Sequence, residues 1–398
     1  MGEWKNVRVG ELGKIITGKT PKTSISDNYG GRIPFLTPSD NMSVKYVGKT
    51  SKTLTEKGLL EVKNAILPEN SVCVSCIGSD LGKAVITTCP TVTNQQINSI
   101  IVDEKSFDVS FVYYAMQILG KKMNFISKTS TAVPIVNKSS FSSYEIKCPP
   151  REDQKRIAAV LSALDSKIEC NKKINDNLEQ QAVALFKSWF VDFSLFGGTV
   201  PENWEDTTLE NITTLITRGI APKYSDNSDQ TVVNQKCIRN HTIDLSLART
   251  HTPKAINEKW LKFGDLLINS TGDGTLGRVA QVWFAPKALT VDSHVTIVRP
   301  AREELIFYIG LWGILHEKEI ESLHTGSTGQ TELPRDRVKK LKLLLPDNIS
   351  LSRFNSIIAP MASTIISNQE ENQKLASLRD TLLPKLMSGE IDVSSIQL

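Results

Sequence analysis

Gly272-Asp-Gly-Thr-Leu-Gly277 follows the apolar run Leu266 to Ile268 and has the G-x-G-x-x-G spacing of a phosphate cradle. A cradle of that kind needs a helix to start at once, because the free N–H groups of its first turn hold the pyrophosphate. The chain continues instead as RVAQVWF, a strand pattern, so the glycines read as a tight hairpin. A second stretch, Ser79-Asp-Leu-Gly82, takes the same place earlier in the chain without the glycine pattern. Each ends on a cation, Lys83 or Arg278, that is either simply solvated or in reach of a phosphate or base.

Other reactive side chains point the same way. Cys73 and Cys76, with Cys89 and Cys148 further on, suggest zinc by type, but residues i and i+3 of a strand face opposite sides. They read better as small buried side chains, and six cysteines without framework spacing fit a reducing compartment. The five histidines form no HExxH motif and no evident Ser-His-Asp set. His241, His251 and His294 lie in polar, loop-like sequence, and His294 stands opposite Gln96 in the repeat described below. Both Gln96 and His294 can donate to a base edge. Two hydroxyl-rich loops precede Val133-Pro134 and Leu333-Pro334; they supply Lys128, Thr129 and Thr131 in one case and Ser327, Thr328 and Gln330 in the other. Such loops are either plain turns or groups that position a phosphate backbone. No cofactor and no metal is expected.

These residues are carried by a chain that reads as two copies of one plan. Residues 4 to 150 show short β-rich segments, with Val72, Val74, Val85 and Ile97 among Gly and Pro breaks, and Phe107 to Phe125 as the one helix-like stretch. Arg151 to Phe190 then has no Gly and no Pro, and it spans roughly 60 Å as a helix. Leu161, Leu164, Ile168, Asn171, Asn175, Leu178, Ala182, Leu185 and Trp189 recur at alternating three- and four-residue steps, a heptad seam. After a Gly-Gly-Pro break the plan restarts: Trp204 to Ala221 lies on Trp4 to Pro21 at an offset of 200, pairing Ile15 with Leu215, Ile16 with Ile216 and Thr17 with Thr217. The offset is 195 at Leu81-Gly-Lys83 against Leu276-Gly-Arg278, and 200 at Pro134 against Pro334. At 197, Ile157, Ile168, Asn171, Asn175, Leu178 and Leu185 meet Phe354, Ile365, Asn368, Asn372, Leu375 and Leu382.

The expected fold is α+β: a globule over 1–150, a helix over 151–193, a second globule over 194–345 and a second helix over 346–398. The helices should pair antiparallel as a coiled coil about an approximate two-fold axis, with the asparagines locking register. Pro360 predicts a kink or late start in the second helix, and Pro384 a stop.

Charge and hydropathy bound the partners. The first 150 residues carry 18 Lys and Arg against 12 Asp and Glu, a surplus compatible with a polyanion, whereas the whole chain is only +4. No stretch approaches the ~18 apolar residues that cross a bilayer, so no membrane role and a cytoplasmic location are expected.

The order of features resembles the specificity subunit of a Type I restriction-modification enzyme across essentially the whole chain. The resemblance rests on Trp4 and Trp204 opening each half, Ile16-Thr-Gly-Lys-Thr-Pro21, the Gly-Asp-Gly-Thr-Leu-Gly hairpin, and Ser-Thr-Gly-Gln before the final strands. It rests above all on Pro149-Pro150-Arg-Glu-Asp-Gln-Lys-Arg-Ile157 leading into a helix that ends Leu185-Phe-Lys-Ser-Trp-Phe-Val-Asp-Phe193. The resemblance implies two target-recognition domains reading a bipartite double-stranded DNA target, spaced by helices that dock two methyltransferase subunits, with two restriction subunits joining them. It implies a non-catalytic chain, with Lys19, Lys22, Lys83, Gln96 and the first polar loop contacting DNA in one half. Arg218, Lys223, Arg278, His294 and the second polar loop would do so in the other. Pro346-Asp-Asn-Ile-Ser-Leu-Ser departs from the family's usual approach to the second helix. A DNA-independent coiled-coil scaffold and a self-contained DNA methyltransferase are the competing readings.

Overall fold

Ser71–Ser75 and Leu266–Asn269 are runs of successive buried residues, and a strand of that composition has to be covered on both faces. Val72 and Val74 enter one apolar cluster with Leu12, Phe111 and Ile157, while Cys73 enters another with Leu36, Val85 and Ile97. Likewise Leu266 and Ile268 pack in one cluster and Leu267 in a second. The period-two alternation of a strand therefore builds two cores per sheet. It also keeps Cys73 and Cys76 apart, and no metal-holding group of three or more His, Cys, Asp and Glu occurs among the described residues.

The computed structural model describes residues 3–78, 80–128, 135–226, 228–272, 274–326 and 331–396. The chain is α+β and divides into two compact units, residues 1–170 with 371–398, and residues 171–370. In the first unit a five-stranded sheet runs in the order Gly13–Thr17, Ile97–Val102, Ser71–Ser75, Ala84–Thr87, Tyr46–Val47, and only its last pairing is parallel. The second unit repeats the first four places, all antiparallel, as Thr213–Arg218, Val295–Pro300, Leu266–Asn269, Val279–Gln281. Besides the helix Val109–Lys128, the first unit holds six-residue helices at Glu56–Glu61 and Lys138–Ser143, too short to show a helical period in sequence.

Register corrects the internal repeat in two places. Ile15 stands opposite Ile100 and Ile216 opposite Val298, and each of Ile15 and Ile216 is buried. A β-bulge between Thr213 and Leu215 adds one residue, so Ile15 corresponds to Ile216 and not to Leu215, which packs on the other face. From there the offset is 201. Similarly, Val136 N–H donates to Cys76 O at 2.9 Å and Leu333 N–H to Ser270 O at 2.8 Å. Asn137 and Pro334 each stand at the N-cap of the following short helix. Pro334 thus matches Asn137, whereas Pro134 lies outside the described residues.

The first long helix runs Arg151–Phe190 and the second Asn348–Ser388. Pro360 neither delays nor interrupts the second. Asp347 starts the helix twelve residues earlier by accepting from the N–H groups of Ile349 and Ser350 at 2.8 and 3.0 Å. Pro360 is exposed between buried Ile358 and Ala362, so the backbone bond it deletes lies where water can replace it. Pro384 is also passed, and the helix ends four residues later.

Within the first unit the two helices run antiparallel: Lys167 pairs with Glu371 at 3.2 Å and Asp165 with Arg379 at 2.9 Å. Leu161 and Ile168 are buried there, whereas Leu164, Leu375, Leu382 and Asn372 are half-buried. Within the second unit the direction is the same, with Asn368 Nδ2 donating to Asn175 Oδ1 at 2.8 Å and Asn175 Nδ2 to Ile365 O at 3.3 Å. Asn171, Asn175 and Ile365 are buried, and Leu178 and Leu185 half-buried. Phe186, Phe190, Tyr308 and Phe354 fasten this end through ring contacts of 4.8 to 6.0 Å between centroids.

Candidate nucleic-acid interface

Gly18 and Gly219 begin the same short loop, Gly-x-x-Pro-Lys, ending at Lys22 and Lys223. Each glycine is fixed by a donated bond, Gly18 N–H to Ile97 O and Gly219 N–H to Val295 O, both 3.1 Å. The next residue of each loop bonds back as well, Lys19 N–H to Thr93 O at 2.8 Å and Ile220 N–H to Val291 O at 2.9 Å. The approach leaves no room for a side chain. A methyl at Gly18 would lie 2.1 Å from Asn94 O, and one at Gly219 would lie 2.0 Å from Val291 O.

The turn beneath is also duplicated. Asn94 Oδ1 accepts from Gln96 N–H at 3.1 Å, and Asp292 Oδ1 from His294 N–H at 2.9 Å, which is the Asx turn that Asn and Asp favour. Burial pushes the Asp292 carboxyl above the ordinary carboxylate range, opposed by the His294 N–H and ring. The carbonyls of Gln96 and His294 then receive Cys76 N–H and Ser270 N–H, both at 2.8 Å, which brings in the hairpin ahead of Lys83 and Arg278. Cys76 O and Ser270 O in turn hold the residue that follows each hydroxyl-rich loop, Val136 or Leu333. In each unit three distant segments therefore meet at one place.

The candidates sort accordingly. Lys19, Lys22 and Lys223 are exposed on the pinned loops, and Gln96 and His294 stand on the turns. His294 Nδ1 shares a 2.7 Å bond with Thr271 Oγ1, and Gln96 Oε1 accepts from Asn94 Nδ2 at 2.9 Å. Lys83 is bound to Asp80 at 2.7 Å, and Arg278 donates to Gly274 O of its own hairpin at 2.6 Å. Arg218 is turned inward, donating to Leu333 O at 2.9 Å and pairing with Glu332, so it braces the segment that follows the second polar loop. The Lys128 side chain, Thr129, Thr131, Ser327, Thr328 and Gln330 lie outside the described residues. Sequence reasoning missed Thr20 and Gln95, exposed and joined at 2.6 Å, and the brackets Asn94 and Asp292. An Asn or Asp two residues ahead of Gln96 and His294 was the available signal.

Comparison with known proteins completes the assignment. Residues 1–180 match the Type I restriction modification DNA specificity domain. The chain is 28% identical, over 99% of its length and 95% of the relative's, to the Type I restriction enzyme MjaIX specificity subunit of Methanocaldococcus jannaschii. Over essentially its whole length the chain is similar to type I restriction enzyme specificity subunits, and its first 180 residues match their DNA specificity domain. Residues 1–180 thus carry a DNA-recognition domain, and the relatives are specificity subunits, the non-catalytic components of type I complexes. The HindI specificity subunit of Haemophilus influenzae is 32% identical over 44% of the chain and 39% of the relative. In fold, a type I restriction-modification S subunit from M. genitalium aligns over 97% of this chain and 96% of that one, with a TM-score of 0.56 at 16% identity. No helix among the described residues is long and apolar enough to cross a membrane.

Proposed function

We propose that this chain is a specificity subunit and reads a bipartite double-stranded DNA target, one half-site per unit, at the pinned loops of Gly18–Lys22 and Gly219–Lys223 and the turns beside them. The observation that carries this reading is the repetition, bond for bond, of the loop, turn and hairpin junction in both units. A shared fold would conserve the cores; conserving the bonds that place the surface loop and turn serves two like ligands. Lys19, Lys22 and Lys223 would meet phosphates, and Gln96 and His294 base edges. The domains are taken as recognition globules at 1–150 and 194–345 with spacer helices at 151–193 and 346–398. The helices then fix the number of base pairs between half-sites, as dimer geometry does in other DNA readers.

In this reading two methyltransferase subunits dock on the helices and two restriction subunits join through them, in the cytoplasm and with no cofactor on this chain. Leu161 is unsuitable for testing docking, because it lies in the core of the first unit. Ile174 and Leu378, 40% and 46% exposed on the helices, are the better positions. Ile174→Asp or Leu378→Asp should abolish copurification of the methyltransferase subunit while the chain stays folded.

Mapping methylated adenines in the source genome should yield a split motif. Removing seven residues from both helices should change its spacer and leave both half-sites intact; an unaltered spacer would refute the spacing role.

A further inference from the structure

Tyr224 follows Lys223, so it stands immediately beyond the loop pinned to the His294 turn. Its backbone is tied to a second segment: Tyr224 pairs with His251, Ser225 N–H donates to Thr250 O at 3.2 Å, and Thr252 N–H to Lys223 O at 2.8 Å. That segment carries Arg249, whose guanidinium carbon lies 3.7 Å from the centre of the Tyr224 ring. Arg249 is exposed, yet its strand is fixed, Arg249 standing opposite Val232 in the sheet that also contains Leu289–Val291. Among the described residues no carboxylate pairs with it and no carbonyl accepts from it.

An exposed arginine ordinarily either samples many rotamers or finds an acidic neighbour. This one does neither. A flat ring holds the plane of the guanidinium while leaving its N–H donors unused, which suits a fork-shaped donor for a planar, two-acceptor partner. In the major groove that partner is the O6 and N7 edge of guanine. The first unit has Thr23 where the second has Tyr224, at the offset of 201, so the device belongs to one half only.

Building on the function proposed above, we infer that Arg249, positioned by Tyr224, is a specificity-determining residue that reads a guanine in the half-site of the second unit. Lys223, next to Tyr224, then serves the adjoining phosphate. Arg249 works as a fork and not only as a charge, and Tyr224 is a positioning residue.

The test is selection of bound duplexes from a randomised pool by the full chain assembled with its methyltransferase subunits, at two salt concentrations. Wild type should return a split motif containing a G·C pair that Arg249→Ala relaxes by about ten- to a hundredfold, with every position of the other half-site unchanged. Arg249→Lys should lose the same preference while keeping the charge, and Tyr224→Leu should weaken it in part. Overturning results are an Arg249→Ala motif identical to wild type, or a uniform loss of affinity over all sequences with a shallower salt slope, which marks a phosphate contact. A wild-type pool with no motif would instead remove the DNA-reading function, and this inference with it.

Discussion

Arg379 and Asp165 are bound across the paired helices of the first unit at 2.9 Å, where the repeat, at its offset of 197, places Ala182 and Ala362 in the second unit. Both alanines are buried, so one helix contact has been solved twice, once with charge and once with close packing. Asp165 also accepts from Tyr114 Oη at 2.6 Å, and Lys45 donates to Ser162 Oγ at 2.7 Å beside it. Removing Arg379 alone leaves a shielded carboxylate short of a donor, so Arg379→Ala should cost about 1–3 kcal/mol. The pair Arg379→Ala with Asp165→Ala should cost less than the two single changes added together. Denaturant unfolding of all four proteins measures the coupling, and strict additivity would show the ion pair to be idle.

Lys45 gives the same place a dependence on pH. Burial pulls its ammonium down to about 8 from 10.5, opposed by the charges of Asp165 and Asp108. A lowered folded pKa on a base means that the unfolded chain holds the extra proton between about pH 8 and 10.5. Stability should therefore rise with pH across that window, the full cost being present below it. Tyr113 and Tyr114 are pushed above the window by burial, and Arg379 stays charged throughout. Lys45→Met should be the more stable protein at pH 7, and the difference between it and wild type should shrink as the pH climbs to 10.5. A difference that is flat with pH would count against this account.

Asn175 and Asn368 form a side-chain pair at 2.8 Å inside the second unit's helix contact. Asn368→Leu strands the Asn175 carbonyl oxygen, and a loss of about 1–3 kcal/mol is expected. Replacing both by Leu should recover that loss or exceed wild-type stability, at the expense of register, since polar seam residues specify alignment more than strength. Unfolding midpoints check the energies. Cross-linking of cysteines placed along the helices checks whether the double variant slips.

Gly18→Ala and Gly219→Ala should each disturb only one of the two proposed reading sites. The added methyl meets backbone oxygens at 2.1 and 2.0 Å, which a flexible side chain cannot relieve, so the loop must shift or the unit lose about 1–3 kcal/mol. The expected outcome is weakened selection at one half-site with the other retained, read from the pool of bound sequences. Equal damage at both half-sites from either variant would contradict two independent sites.

The long helices and the duplication were legible because both are written in periodicity: forty residues without Gly or Pro, and a polar-apolar seam that recurs at a fixed offset. The single-residue bulge after Thr213 was not, since one inserted residue leaves the pattern TTLITR looking like an ordinary strand. Pro360 misled for a related reason. Its cost is local, whereas the helix is held by Asp347 behind it and by buried Ile358 and Ala362 around it. Within the proposed reading sites, sequence named the loop cations Lys22 and Lys223 and the turn residues Gln96 and His294. It missed what joins them, because those bonds connect segments far apart in the chain, as between Thr20 and Gln95, 75 residues apart. Arg218 looked like a partner for DNA by type alone, and only its bond to Leu333 O shows it braced inward.

The first unit takes its last pieces from the far end of the chain: Leu383, Leu386, Met387 and Val393 lie in the same core as Leu12 and Phe111. During synthesis, residues 1–170 therefore emerge first but wait for more than two hundred further residues before their core can close. At about 5–20 residues per second that wait lasts roughly 10 to 45 s, whereas residues 171–370 contain everything their own unit requires. The part made first is the part finished last, and a ribosome that stops early releases a chain whose first core is still open.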